Sequence, residues 1–430
     1  MTPRRPSQPG GPLHRIWKFV IEYSLLLLTG AVVALLWANV DYDSYHKIID
    51  GVLWVNPFIG QLKDGARVLT LHYLVNDVLM ALFFAIAGKE VWEAVALKSG
   101  GLRGRNAVTP LVATAGGMIG PAGLYLLGAW FVGKYGALAN GWAIPTATDI
   151  AFSYLVGRVV FGARHPAVLF LLLLAIVDDA TGLVIIAVFY PKTAVNPEWL
   201  LLSAAAGVAV YLLFNLLPRR LDERNGDSRA TRWVRQTLSF WPYAIAGCVS
   251  WYGFQSAGLH PALGLLPVVP AIPHADISFG FFAEEEHERH TDLLNTMEHG
   301  LRVPVEIVLL FFGLANAGVP VSAVGTATWL VLLGLMVGKP FGVWLFGLFS
   351  ARALRFGMPP GVESRDMFLI GAISGIGFTV SLFVAAVAFP PGTDEQQAAR
   401  MGALLSFAMA PLAILIARML GVKPQRAETG

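Results

Sequence analysis

Residues 141–153, GWAIPTATDIAFS, and residues 169–190, LFLLLLAIVDDATGLVIIAVFY, decide how the chain is read. Together they set three carboxylates, Asp149, Asp178 and Asp179, in otherwise apolar sequence. The second run is long enough to cross a bilayer core, which takes about 20 residues of helix. On an insertion scale an Asp at the centre of a membrane helix costs roughly 2.5–3.5 kcal/mol, so three oppose insertion by about 10 kcal/mol. Acids kept against that cost are compensated by partners or used for function.

Working outward, the composition supports a membrane setting. The 430 residues are 56% hydrophobic and only 14% charged, a mixture unsuited to a water-facing surface. The single cysteine, Cys248, excludes an intrachain disulfide and a cysteine metal site, and its apolar surroundings read as small core filler. The basic start of the chain precedes an apolar run of spanning length with no small-residue cleavage site, the pattern of a first spanning helix rather than a removed signal.

Hydropathy and helix breakers place twelve spans near 16–39, 71–96, 108–131, 143–161, 167–190, 198–217, 239–256, 259–273, 303–318, 327–349, 366–389 and 401–420. The expected fold is therefore an all-α polytopic membrane protein in one unit, 16–420, between tails at 1–15 and 421–430. With the N-terminus inside, inner loops, tails and inner span ends collect 23 Lys and Arg, six of them Arg219, Arg220, Arg224, Arg229, Arg232 and Arg235. Outer loops hold Lys47, Lys63, Arg67, Lys134, Lys192 and Arg400. That asymmetry orients both termini to the cytoplasm. The outer loop 41–70 carries Asp50-Gly51 and Asn56-Pro57 turn signals between short apolar runs, which predicts a small external β-hairpin. The segment 274–302 is expected along the cytoplasmic surface.

Two spans look interrupted. The fourth has Pro145 followed by Thr146, Thr148 and Asp149, and the eleventh has Gly371, Gly375 and Gly377 followed by Thr379 and Ser381. Weakened polar stretches at matching places in two three-helix units, spans 3–5 and 10–12, are the sign of inverted repeats around a midplane site.

Asp178 and Asp179 are adjacent, so on a helix their side chains diverge by about 100°. One can face a water-filled path while the other turns toward a neighbouring helix; the plainer reading is a polar clamp between helices. Asp149 and Ser153 share a face at i, i+4, with Thr148 beside them. Carbonyls freed by a break there, with an acid, suit a hard cation such as sodium or lithium. Alternatively, Asp149 neutralises the positive end of a half-helix. Lys339, in the middle of a span, needs a partner, for which Asp178 and the negative end of the broken eleventh helix are the candidates. The glycines ahead of Lys339 lack the spacing and the Ser or Thr of a phosphate loop, so nothing points to ATP. Lys89, beside Glu90, reads as a lysine snorkelling to the interface. His287, Glu288 and His290 fall one residue short of the zinc-protease pattern.

GWAIPTATDIAFS, LAIVDDATG (174–182), NDVLMALFFAIAGKE (76–90), FGLANAGV (312–319), GLMVGKPFG (334–342) and ISGIGFTVSLF (373–383) resemble, in order, the motifs of the NhaA-type sodium/proton antiporter family. The resemblance implies twelve helices with crossed, broken fourth and eleventh spans, usually in an inner-membrane homodimer whose external hairpins pair. It implies electrogenic exchange of cytoplasmic Na+ or Li+ for external H+, more active at alkaline pH, with membrane lipid as surroundings, no resident cofactor and no nucleic acid. By motif position, Asp179 matches the principal cation and proton carrier, Asp178 its neighbour, which in the family can pair with the lysine matched by Lys339, and Thr148 and Asp149 the broken-helix pair. Glu90, Glu298 and His299 match a pH-responsive cluster, from which the chain departs at Glu93 and Arg302. A cation channel is the rival reading. An intramembrane aspartyl protease also needs two membrane-buried acids, but the G-x-G-D pattern of such proteases is missing.

Overall fold

A computed structural model describes residues 25–63, 65–96, 107–226, 229–273 and 293–425, without the side chains of 236 and 293–299. Apart from the short helices Tyr135–Leu138 and Arg229–Trp233, the helices are α1 (Leu25–Val40), α2 (Tyr42–Ile49), α3 (Leu71–Ala96), α4 (Val108–Phe131), α5 (Ile150–Phe161), α6 (Pro166–Phe189), α7 (Glu198–Asn225), α8 (Trp241–Ala257), α9 (Leu293–Asn316), α10 (Thr326–Ala353), α11 (Ser364–Ser374), α12 (Phe378–Ala388) and α13 (Asp394–Met419). Six of them, α3, α4, α6, α7, α10 and α13, are long and apolar enough to cross a membrane, and the pair α11 and α12, bent by 51° at its break, makes a seventh. The apolar α1 and α5 are shorter. The eighth expected span is not α-helical: Pro261, Pro267 and Pro270 leave it as short 3-10 turns, Pro261–Leu263 and Leu266–Ala271.

Small residues set the closest packing. Gly116 and Gly120 of α4 face Gly338 and Gly342 of α10, and a Cβ at Gly342 would lie 2.1 Å from the Gly116 carbonyl oxygen. Two small-xxx-small stripes thus bring two backbones into contact, the packing available where lipid supplies no hydrophobic drive. The glycines that fail as a phosphate loop are a packing seam, and they fix where Lys339 enters the core. α1 and α9 approach in the same way through Gly30 and Gly313. α1 packs on α9 and α4 on α10, while α3 lies against both α9 and α6.

The loop 41–70 holds α2 and a three-stranded antiparallel sheet in place of the expected two-stranded hairpin. β1 (Val52–Asn56) and β2 (Gln61–Lys63) flank β3 (Ala66–Thr70). Val55 pairs with Val68, and Lys63 with Ala66 across the tight end. Asn56 builds the turn after β1, its Oδ1 accepting from the amides of Phe58 and Ile59 at 2.8 and 2.7 Å. Val52 to Val55 are exposed along the β1 edge. Cys248 is also exposed, on α8, not core filler.

Candidate functional site

The fourth span breaks where its sequence weakens. A 3-10 segment, Ala139–Thr146, containing Pro145, gives way to extended backbone at Ala147 and Asp149 before α5 begins. The eleventh opens over residues 375–377 between α11 and α12, where glycines replace side chains that the crossing has no room for. At Gly377 a Cβ would meet Ser381 Oγ at 2.4 Å and the Ala147 carbonyl oxygen at 3.2 Å. The two breaks lie against each other, and each supplies the polar groups that the other has orphaned. The Asp149 amide donates to the Ile376 carbonyl at 2.7 Å, Ser153 Oγ to the Ile373 carbonyl at 3.1 Å, and Ser381 Oγ to the Ile144 carbonyl at 2.7 Å.

Asp149 stands at two helix N-termini at once. Its Oδ1 accepts from the Phe152 amide of α5 at 3.2 Å; its Oδ2 accepts from the Thr379 amide of α12 at 3.2 Å and from Thr379 Oγ1. One carboxylate therefore caps two positive helix ends. Ser153, expected on the same face, turns its hydroxyl to the opposite break.

Asp178 and Asp179 do diverge. Asp178 Oδ2 receives Lys339 Nζ at 2.9 Å and lies 2.6 Å from Thr148 Oγ1. Thr148 Oγ1 is also 3.1 Å from the Ser374 carbonyl, so its one proton serves two acceptors. Lys339 is fully enclosed, 0% exposed, and its second acceptor is the Thr146 carbonyl at 2.5 Å. The helix end that compensates it thus belongs to the fourth span, not the eleventh. Lys339 follows a π-helical turn, Gly334–Gly338, which shifts the register of α10 just before it.

Asp179 points elsewhere. It lines a cavity of about 60 Å3 together with Glu90, Thr148, Asp149, Thr379 and apolar residues of α1, α3, α5 and α9. Its Oδ1 has no hydrogen-bond partner among the described residues; the same holds for Asp178 Oδ1, but of the two acids only Asp179 lines the cavity. A buried carboxylate that lines a small cavity and has an oxygen without a partner is where a cation or a proton has something to bind. No group of three or more His, Cys, Asp or Glu side chains able to hold a metal ion occurs among the described residues.

Near the C-terminal end of α3, Lys89 does not snorkel: it is buried and its Nζ is 3.0 Å from Glu93 Oε2. Of the expected pH-responsive set, Glu90 reaches the cavity; the side chains of Glu298 and His299 lie outside the described residues, as do His287, Glu288 and His290 entirely. Sequence reasoning missed the Thr146 carbonyl, and it gave no role to Asp77, a buried acid in an apolar helix that the same rule would have singled out.

Comparison with known proteins identifies the family. The family model described as "Na+/H+ antiporter 1" matches residues 16–417. The Na+/H+ antiporter NhaA of Jannaschia sp. (strain CCS1) is 60% identical over 420 residues, 96% of this chain and all of that one. That of Geotalea uraniireducens (strain Rf4) is 44% identical over 408 residues, 94% of this chain and 96% of the relative. By a family match that runs nearly end to end, the chain belongs to the Na+/H+ antiporter 1 family.

Proposed function

We propose that the protein is an electrogenic secondary antiporter of the bacterial inner membrane that exports cytoplasmic Na+ or Li+ in exchange for external H+. The observation that carries this reading is the open oxygen of Asp179 in the cavity beside Glu90. An ionised Asp179 attracts a hard cation, with Thr148 and Thr379 hydroxyls nearby to replace part of its water. A protonated Asp179 has no charge to offer, so proton and cation exclude each other. Competition at a single site couples the two flows without ATP, because each return of the carrier needs one ligand or the other. A second titrating group beside Asp179 makes the exchange electrogenic, more protons moving than cations. Lys339 is the alternative second carrier, releasing its proton when cation binding breaks its pairing with Asp178.

The same reading completes the frame. Twelve spans follow if α1, α5 with its 3-10 lead, α8, the 3-10 turns and the later half of α9 each cross the membrane; spans 3–5 and 10–12 then form inverted repeats about the crossed breaks. Both termini lie in the cytoplasm. The exposed β1 edge, Val52 to Val55, suits pairing with a second copy in a homodimer. Glu90, with Glu298 and His299, makes activity rise at alkaline pH, with the threshold displaced by Glu93 and Arg302.

Proteoliposomes holding purified protein test the proposal. Added Na+ drives protons from an acidified lumen, the rate falls as pH drops and protons occupy the carboxylates, and Li+ substitutes better than K+. In everted vesicles, sodium flux with no proton movement would establish a channel and end the antiporter reading.

A further inference from the structure

Another buried acid, Asp77, lies away from the crossing. Asp77 occupies a π-helical turn, Leu74–Leu79, in α3, a register shift of the kind that gathers at functional positions. It precedes Glu90 by thirteen residues, which puts it about 20 Å along the helix from the cavity. Its side chain is 2% exposed, and its Oδ1 forms an ion pair with Lys192 Nζ, from the linker just after α6. Asp179 lies ten residues before Phe189, the last residue of that same α6, or about 15 Å. Thus α3 and α6 contribute Glu90 and Asp179 to the cavity, and at the opposite end Asp77 and Lys192 hold the two helices together.

The surroundings make this a strap. The Lys192 amide donates to the Gly258 carbonyl and the Asn196 amide to the Ala257 carbonyl, both at 2.9 Å, docking the linker on the end of α8. Gly258, at φ +81, is approached so closely that a Cβ would meet Thr193 Oγ1 at 2.5 Å. Trp251 Nε1 of α8 donates to the Asp77 carbonyl at 2.7 Å, and His260 Nδ1 is 3.6 Å from Asp77 Oδ1. Lys192 Nζ sits 5.2 Å over the Tyr73 ring, and Tyr73 OH donates to Gln255 Oε1, which also takes the Gly60 amide of the sheet. Lys192 is 26% exposed. Its flexible stem can carry the ammonium out to water, whereas Asp77 has nowhere to go.

We propose that Lys192 and Asp77 are the external latch of the ion path. Closed, the pair clamps the outer end of the Asp179 helix to α3 and α8 and covers Asp77 with a cation that repels Na+. Open, it lets α6 part from α3 on the outer side and leaves a bare carboxylate facing the route by which external protons reach Asp179. This rests on the antiporter reading for its direction, outer against inner, but its test does not need transport.

The test places a cysteine at Ala81, a buried position one turn inward from Asp77, in a Cys248→Ser background, and measures its labelling by a membrane-impermeant maleimide applied from the outside. Lys192→Met is expected to raise the labelling rate about tenfold, Asp77→Asn to do the same, and the two together to add nothing further. Lys192→Arg, which keeps the charge, should label like the parent. Unchanged labelling in a correctly inserted Lys192→Met protein overturns the latch. Should that variant fail to accumulate, the paired variant, which strands no charge, gives the same readout. Increased labelling in these variants, with no Na+-driven proton flux in the parent, would leave the latch standing and the antiporter reading refuted.

Discussion

At the crossing of the broken spans, both oxygens of Asp149 are occupied, by the Phe152 amide on one side and by Thr379 on the other. In the middle of α6, Asp179 lines a cavity, and its Oδ1 has no partner among the described residues. Both carboxylates are buried, and they line the same cavity from two sides. The first is a finished structure, in which each orphaned helix end has received a donor or an acceptor. The second leaves capacity open. The difference teaches that acidity in a membrane helix is not by itself a binding site; what distinguishes carrier from cap is how much of the hydrogen-bonding capacity the fold has already used.

The sharpest way to break this contrast is Asp179→Asn. Exchange in everted vesicles should fall to background while expression and melting temperature stay near the parent, because no described partner is lost from Oδ1. Retained exchange would mean that the open oxygen is incidental and that Asp149 or Asp178 carries the ion. The next largest effect is expected at Lys339→Gln, which removes the cation from Asp178. Breaking a buried pair at one side typically costs about 3–5 kcal/mol. The variant should therefore melt well below the parent, and Asp178→Asn added to it should recover much of the loss. Equal melting of the single and double variants would show that the pair does not act as a unit.

How far this contrast was legible beforehand follows from the same physics. The intramembrane acids, the glycine-rich eleventh span and Lys339 announced themselves, because a charge or a helix breaker in apolar sequence is costly and therefore noticeable. The divergence of Asp178 from Asp179 needed only the helical pitch. Carbonyls carry no sequence signal, so the choice of Thr146 rather than the eleventh-span end as partner of Lys339 depended on how two breaks cross. Lys89 looked free to snorkel because its partner, Glu93, sits at i+4 in a helix whose depth in the bundle hydropathy does not fix. The third strand at 61–63 was missed because three residues are too few for an alternation to register.

A smaller effect refines the capped side of the comparison. Thr379→Val keeps the shape but removes the hydroxyl that donates to Asp149 Oδ2, leaving that oxygen with the Thr379 amide alone. A lost bond to a buried charged group costs about 1.5–3 kcal/mol. Thermal melting should register this drop. Exchange should persist at a reduced rate, since an Asp149 that is less fully satisfied begins to resemble Asp179 and competes for the cation. A stable, fully active Thr379→Val protein would remove the second helix cap from the account of Asp149.

The smallest expected effect is the most discriminating for structure alone. Ser153→Ala removes one hydroxyl that donates to the Ile373 carbonyl, at the C-terminal end of α11. It takes no charge, lines no part of the cavity with Asp179, and leaves Asp149 with all its donors. A neutral hydrogen bond of this kind is worth about 1 kcal/mol net. The Ile373 carbonyl keeps the Ile376 amide and lies beside the Ser374 carbonyl, which shares the Thr148 hydroxyl with Asp178. The melting temperature should therefore drop slightly, with the pH profile and the cation preference of exchange unchanged. A shift in either would mean that the crossing passes its strain on to Thr148 and Asp178, and that cap and carrier are one coupled site rather than two regions with separate tasks.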